Sequence, residues 1–562
     1  MSQNKSAAAM STDDHGLKKY DMKVSTVVFM IFCLVAAGCY GIEEMIPETG
    51  PGLCIVMLIV LPFIWGLPFG LVASELGSVR PQEGGYYKWV QEALGEFWGF
   101  QAGWWRTISI YIDNTLYVIL AGGYAANAFD LSKPVEFAVK FVMIAIFTYI
   151  NIRGVKDVGI VSTILSILVI VAFALVAICG FLNWTPGAFG PFTPEKATSA
   201  VEWFFYIGGG ISIGMWMYSG YESMSTMAGE VKNPQVIPKG TLITIPIIMA
   251  VYILPTIGSL GSLGNWANWG TESGQVGYAD VVTHFWGPAF GVFFVFVAIL
   301  AQCSIYNTYI ASGSRGFFAL ADDNLAPPIL VKCDKKHGVP YISVLSVAIV
   351  NLILCMFPFG VVIVVDVFLL VSSYIMVYLS ALILRKRLPE DEYKGKFKIP
   401  GGYGLLCVIC IVPICVAVFS FLINGSDYFL GGMVGIISGP ILYVIWRKRY
   451  GGLTKKNSEA FPKNERTGLA QGDLKRISLL FLLLTVIGII GVFFLPWYES
   501  DWGNADYYQG MFENSSVTVS SITMIGVKIF TALSAIVAII TAIVANKIGT
   551  KEITGERAKH IK

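Results

Sequence analysis

Trp216-Met-Tyr-Ser-Gly-Tyr-Glu222 lies within FFYIGGGISIGMWMYSGYESMSTM (204–227), a stretch that otherwise reads as a membrane span. A glycine weakens a helix and frees backbone polar groups. A carboxylate at bilayer depth costs about 2.5–3.5 kcal/mol on insertion scales, so its default reading is functional. A broken helix carrying an acid at mid-membrane depth is how secondary transporters build a substrate or ion site.

Composition agrees with a membrane setting. The 562 residues are 55% hydrophobic and 14% charged, and mean hydropathy is +0.67. These values exclude an ordinary soluble domain and indicate a polytopic membrane protein. A net charge of +2 provides no basic field for nucleic acid. The start, MSQNKSAAAM, lacks the apolar core of a signal peptide, so the first apolar run is expected to remain as a span. Ten cysteines fall mostly in apolar runs, and Cys407 and Cys410 share one face of GLLCVICIVPICVAV as small buried residues. The four histidines (15, 284, 337, 560) are dispersed without metal-ligand spacing, so no metal or cofactor is expected. With no nucleophile–base pair or nucleotide loop either, the chain does not read as an enzyme, and no catalytic residue is assigned.

A hydrocarbon core of about 30 Å needs about 20 apolar residues per helix. On that ruler fourteen spans are expected, at 25–46, 52–78, 98–127, 134–152, 158–182, 202–228, 239–258, 280–312, 341–357, 361–385, 403–424, 428–447, 477–496 and 522–546. Placing the N-terminus inside puts Arg80, Lys88, Arg153, Lys156, Lys232, Arg315, Lys335 and the clusters 385–398 and 447–456 in cytoplasmic loops. Segments 259–279 and 497–521 contain no Lys or Arg, which completes a positive-inside pattern. The domain reading is an N-terminal tail (1–23), a core of ten spans (24–385), spans 11 and 12 (386–447), a basic linker (448–476), two extra spans (477–546) and a C-terminal tail (547–562). Both tails are expected in the cytoplasm. The aromatic outer loop 497–521 carries the sequon Asn514-Ser-Ser516.

An internal echo divides the core. Span 1 is interrupted at Gly38-Cys-Tyr-Gly41-Ile-Glu43-Glu44 and span 6 at Ser219-Gly220-Tyr221-Glu222. Each is the first helix of a five-helix unit, and an odd number of helices reverses the second copy. Paired interruptions at matching places point to a transport site. The expected fold is therefore an all-α polytopic membrane protein with broken helices 1 and 6, about fourteen transmembrane helices and a second five-helix unit reversed relative to the first.

Around these breaks, Glu43 and Glu44 read either as cavity carboxylates for a substrate ammonium or as a helix end reaching the interface, since Pro47, Glu48 and Gly50 follow. Glu222, deep in an apolar run, reads as a proton carrier or the partner of a cation. Asp113 and Asn114 lie mid-way along span 3; an Asp there faces a wet cavity, whereas an Asn also serves as helix–helix glue. Asp366 is similar but nearer the outer end, and Glu75 beside Arg80 reads as interfacial. Trp216, Tyr218, Tyr221, Tyr306 and Tyr309 place aromatic faces near the central helices, where an ammonium gains about 0.5–2 kcal/mol by cation–π contact. Carboxylates without a compensating lysine in the same spans argue for a cationic solute.

NIRGVKDVG (151–159), GYESMSTMAGEVKNPQVIPKG (220–240), SRGFFALADDNLAPP (314–328) and FKIPGG (397–402) resemble the amino acid–polyamine–organocation family over roughly the first 450 residues. YGIEEMIPETGPG and YIDNTLYVIL resemble plant-type polyamine uptake permeases within it. The resemblance implies a five-plus-five inverted-repeat (LeuT-like) core, with broken helices 1 and 6, and alternating access around a midplane site. In the similar arginine–agmatine exchanger a stacking Trp matches Trp216, the acid Glu222, the span 3 Asn matches Asn114, and the gating Trp of span 8 matches Tyr309. The small-residue cradle for an α-carboxylate is replaced here by Gly41-Ile-Glu43-Glu44, which would repel a carboxylate. Span 5 carries no lysine, and Ser312 and Ser314 remain candidates for a cation, so the coupling ion is read as H⁺ with Na⁺ open. The expected function is secondary transport of a polyamine or related amine across the plasma membrane. An amino-acid carrier or exchanger and an amine-binding sensor are the alternatives. Spans 13 and 14 exceed the usual twelve and read as peripheral or as an oligomer contact.

Overall fold

In the computed structural model, residues 19–36, 38–270, 277–357, 359–500 and 519–548 are described. Most of the expected N- and C-terminal tails and the sequon at 514–516 lie outside the described residues. The regular elements are helical: α1 (Val24–Val35), α2 (Ile42–Thr49), α3 (Pro51–Leu61), α4 (Leu67–Val79), α5 (Tyr86–Leu94) and α6 (Glu96–Phe129). They continue with α7 (Lys133–Ile152), α8 (Val155–Leu182), α9 (Ala200–Met217), α10 (Val236–Ser262), α11 (Gly277–Trp286) and α12 (Pro288–Asp322). The remainder are α13 (Tyr341–Leu354), α14 (Phe359–Arg387), α15 (Gly402–Ile423), α16 (Ser426–Tyr450), α17 (Asp473–Ser500) and α18 (Val519–Ile548).

Ten helices among the described residues are long and apolar enough to cross a membrane. The other four expected spans correspond to α1–α2 and α9, shortened by their interruptions, to the more polar α6, and to the 14-residue α13. The expected span 280–312 needs correction. Gly287, at φ +97°, separates a short α11 from α12, which starts on Pro288 and runs 35 residues. A left-handed Gly followed by Pro at the first helical position is a stop-and-restart signal.

Both predicted breaks are present. α1 stops at Val35 and α2 begins at Ile42, with Gly38 and Gly41 at φ +116° and +102°. α9, started by a Ser199–Glu202 capping box, stops at Met217, and after Gly220 at φ +108° the chain resumes as a 3₁₀ turn, Ser223–Glu230. Unwinding frees carbonyls that a bilayer interior cannot hydrate. Buried side chains from neighbouring helices cap them. Tyr252 Oη shares its proton between Met217 O (2.9 Å) and Val35 O (3.2 Å), and Trp65 Nε1 donates to Met215 O (3.0 Å); from the break itself Cys39 Sγ donates to Val251 O of α10 (2.7 Å). The two breaks touch: a Cβ on Gly220 would lie 2.3 Å from Leu34 O, so only glycine fits.

Packing places α6 along α12 and α14, facing the breaks, and α10 along α1 and α8. The extra pair α17–α18 packs together and against α16. The 448–476 linker is ordered against the core. Arg447 pairs with Glu96 (2.5 Å), Leu453 N–H donates to Glu96 (2.9 Å), and Lys456 pairs with Asp322 (2.6 Å) and Asp323 (3.1 Å). Glu75 is buried and ion-paired with Arg385, while Arg80 pairs with Glu92 and Glu392. The partner of Glu75 is thus Arg385, 310 residues away, rather than its sequence neighbour Arg80.

Candidate functional site

One face of α6 supplies the centre. Arg106, Ser109, Asp113 and Tyr117 recur at three- and four-residue intervals, which stacks them along a helix. α14 contributes Asp366 and Tyr374, α12 contributes Tyr309, and the span 6 break contributes Trp216, Gly220 and Glu222. All of these are buried.

Glu222 accepts from Arg106 Nε at 2.5 Å and from Tyr374 Oη at 2.7 Å. Tyr374 Oη in turn accepts from the Gly220 N–H at 2.8 Å, so the break and its acid are held by one phenol. Arg106 donates further to Ser223 Oγ (3.1 Å) and Ser109 Oγ (3.0 Å). Ser109 Oγ donates to Asp366 Oδ1 at 2.6 Å, and Asp366 Oδ2 has no partner among the described residues. Trp216 Nε1 donates to Asp113 Oδ1 at 2.9 Å. Tyr117 stacks on Trp216 (centroids 5.9 Å, 15°) and on Tyr309 (5.8 Å, 26°). The Arg106 guanidinium lies over the rings of Tyr309 (6.0 Å) and Tyr374 (5.8 Å).

The expected residues divide accordingly. Asp113, Trp216, Glu222 and Tyr309 meet at the centre. Gly41 adjoins them, since a Cβ there would lie 2.8 Å from the Trp216 ring. Glu43 lies apart from that cluster, buried against the backbone of Gly277 and Tyr278 at the start of α11, with Oε1 lacking a partner among the described residues. Its burial removes the solvated-helix-end alternative. Glu44 lies near Gly270. Tyr221 is buried with its hydroxyl unpartnered among the described residues.

Other expected residues have their contacts away from that centre or on the backbone of the break. Asn114 donates to Asn351 Oδ1 (3.2 Å) and joins α6 to α13 as helix–helix glue, one position round the helix from Asp113. Tyr306 packs edge-on against Phe147 (6.2 Å), facing α7. Tyr218 donates to Leu58 O (2.9 Å) and packs on Tyr252, anchoring the break. Ser312 and Ser314 are engaged on carbonyls, of Ser223 (3.0 Å) and Ala311 (2.9 Å).

The sequence reading missed Arg106, Tyr117 and Tyr374. Arg106 was detectable, because the rule that makes a charge at bilayer depth functional applies to arginine as it does to Glu222. Counting lysines alone overlooked it. Around one guanidinium stand three carboxylates, Asp113, Glu222 and Asp366, so the centre carries excess acid.

A profile of the amino acid permease family matches residues 22–438. The polyamine transporter RMV1 of Arabidopsis thaliana is 27% identical over 423 residues, which cover 75% of this chain and 84% of that protein. The polyamine transporter PUT1 of Oryza sativa subsp. japonica is 28% identical over 434 residues, 75% of this chain and 78% of that protein. The serine/threonine exchanger SteT of Bacillus subtilis (strain 168) is 24% identical over 455 residues, 78% of this chain and 100% of the exchanger. Among solved structures, MhsT in complex with L-phenylalanine aligns at a TM-score of 0.56 and 14% identity, over 72% of this chain and 99% of that one; the likeness is one of fold.

Proposed function

Because the chain belongs to the amino acid permease family and is a multi-pass membrane transporter, we propose that it moves a small organic cation, a polyamine or related amine, by proton-coupled alternating access. The observation that carries this reading is the charge balance: Arg106 pairs with Glu222 and reaches Asp366 through Ser109, while Asp113, on the same face of α6, is bonded to Trp216 with no cation of its own among the described residues. A carboxylate buried without a counter-charge is costly, so the centre favours an incoming cation. Asp113 is the first candidate for the ammonium, with Trp216, Tyr117 and Tyr309 forming aromatic walls. Glu43 and Glu44, farther along span 1, offer carboxylates on the approach. Glu222 is the candidate for a second ammonium or for the coupled proton, and either role requires Arg106 to leave it. Tyr221 and Tyr309 line or gate the path. The family setting supports a small-molecule substrate, and the charge pattern of the loops supports cytoplasmic termini; a plasma-membrane location completes the proposal.

One feature favours the amino-acid carrier as a second reading. Arg106 is a cation at the centre that a substrate carboxylate could take from Glu222.

The test is uptake of labelled spermidine and putrescine into proteoliposomes, with and without an inward proton gradient. Gradient-driven accumulation is expected for the wild type, with loss of at least about tenfold in Asp113→Asn and Glu222→Gln, the scale of one lost charge-assisted contact. Excess free amino acids are expected not to compete. Amino-acid exchange without amine uptake would overturn the amine reading.

A further inference from the structure

A guanidinium at the heart of a cation transporter demands an account. Arg106 is buried, as is its partner Glu222, and both Glu222 oxygens are occupied, one by Arg106 and one by Tyr374. Two aromatic faces flank the guanidinium. Carboxylate, phenol and ring faces together are what a substrate ammonium or guanidinium would itself require. The slot beside Glu222 is built for an organic cation and is filled by one belonging to the chain.

Asp366 is the candidate for a second resting place of Arg106. The Arg106 Nη1 already donates to Ser109 Oγ, and Ser109 donates to Asp366, whose Oδ2 has no partner among the described residues. A fixed Arg106–Glu222 pair leaves that buried oxygen without compensation, which is unfavourable. The long arginine stem allows a short swing from Glu222 toward Asp366, with Ser109 bridging both positions.

We propose that Arg106 is a tethered cation that holds Glu222 in the empty transporter and is displaced onto Asp366 when a substrate ammonium arrives. Arg106 then sets specificity: only a cation able to replace it on Glu222 releases it, and charge beside the break stays balanced in both states. A neutral solute leaves Arg106 in place. This inference rests on the amine-transport reading and adds the residue that enforces it.

Spermidine uptake kinetics in proteoliposomes of the full chain test it, with melting temperature as the folding control. If Arg106 fills the slot about nine-tenths of the time, Arg106→Gln lowers the spermidine KM about tenfold, and Vmax falls because substrate no longer has a competitor to drive it off. Arg106→Lys keeps a tethered cation and a KM near wild type. Asp366→Asn removes the second resting place and raises KM. An unchanged or raised KM in Arg106→Gln, or an unchanged KM in Asp366→Asn, overturns the proposal. Should Arg106→Gln fail to fold, Asp366→Asn decides by the same criterion. Wild-type spermidine uptake with both variants unaltered sinks the tethered cation alone. Absence of wild-type amine uptake sinks the amine reading, and this inference with it.

Discussion

Gly220 shows how much one residue carries. Its φ of +108° and the closeness of Leu34 O and Tyr309 Oη leave no space for a side chain. Gly220→Ala combines a left-handed penalty of about 1–2 kcal/mol with a clash against backbone. Uptake is expected to fall more than about tenfold, with a lower melting temperature; wild-type uptake would show that the close approach of the two breaks is dispensable. Gly38, Gly41, Gly220 and Glu222 were legible from residue type, since a glycine pair and an acid within an apolar run conflict with an unbroken span. Asn114 was not legible. Adjacent positions on a helix point about 100° apart, so Asp113 faces Trp216 while Asn114 faces Asn351.

At the scale of elements, the 3₁₀ turn after the break is fixed by a buried pair. Arg315 of α12 meets Glu230 at 2.6 Å, both fully buried. The same turn binds the segment before α1: Tyr20 N–H donates to Glu230 O (2.8 Å) and Lys232 N–H to Tyr20 O (2.9 Å). Removing one partner of such a pair strands the other. Arg315→Met is expected to cost about 3–5 kcal/mol, whereas Arg315→Met with Glu230→Met restores most of it. Thermal unfolding of the two variants in detergent measures this, and equal melting temperatures for the single and double variants would refute it. The α6 stripe of Arg106, Ser109, Asp113 and Tyr117 is the element-scale feature that periodicity alone contained, yet it carried meaning only once α12 and α14 were placed beside it.

Across the whole molecule, the basic end is tied together by the Asp322-Asp323 pair. Burial pushes the Asp323 carboxyl up, but Lys88 and Lys456 outweigh it and hold it at about 2. An ordinary Asp titrates near 3.9, so this depression contributes about 2–3 kcal/mol. The contribution is present above about pH 4 and is lost as pH falls toward 2. Lys456→Ala is therefore expected to lower the melting temperature at pH 7, with the gap to wild type narrowing from pH 5 to pH 3. A gap that stays constant over that range would show that the pair does not act through Asp323. Because Lys456 belongs to the linker, this contact also joins α17–α18, which lie beyond the family match at residue 438, to the transport core.

By itself the sequence determined the class, most of the span positions and the two breaks, and it singled out Glu222. Hydropathy, charge asymmetry and glycine placement are local properties, readable within one helix length. Only the tertiary structure decided which charges meet. It set Arg106 against Glu222 from 116 residues away, Ser109 against Asp366 from 257, and Arg385 against Glu75 from 310. Such pairings depend on which helix faces pack together, and a buried charge takes the partner that packing brings to it rather than its neighbour along the chain.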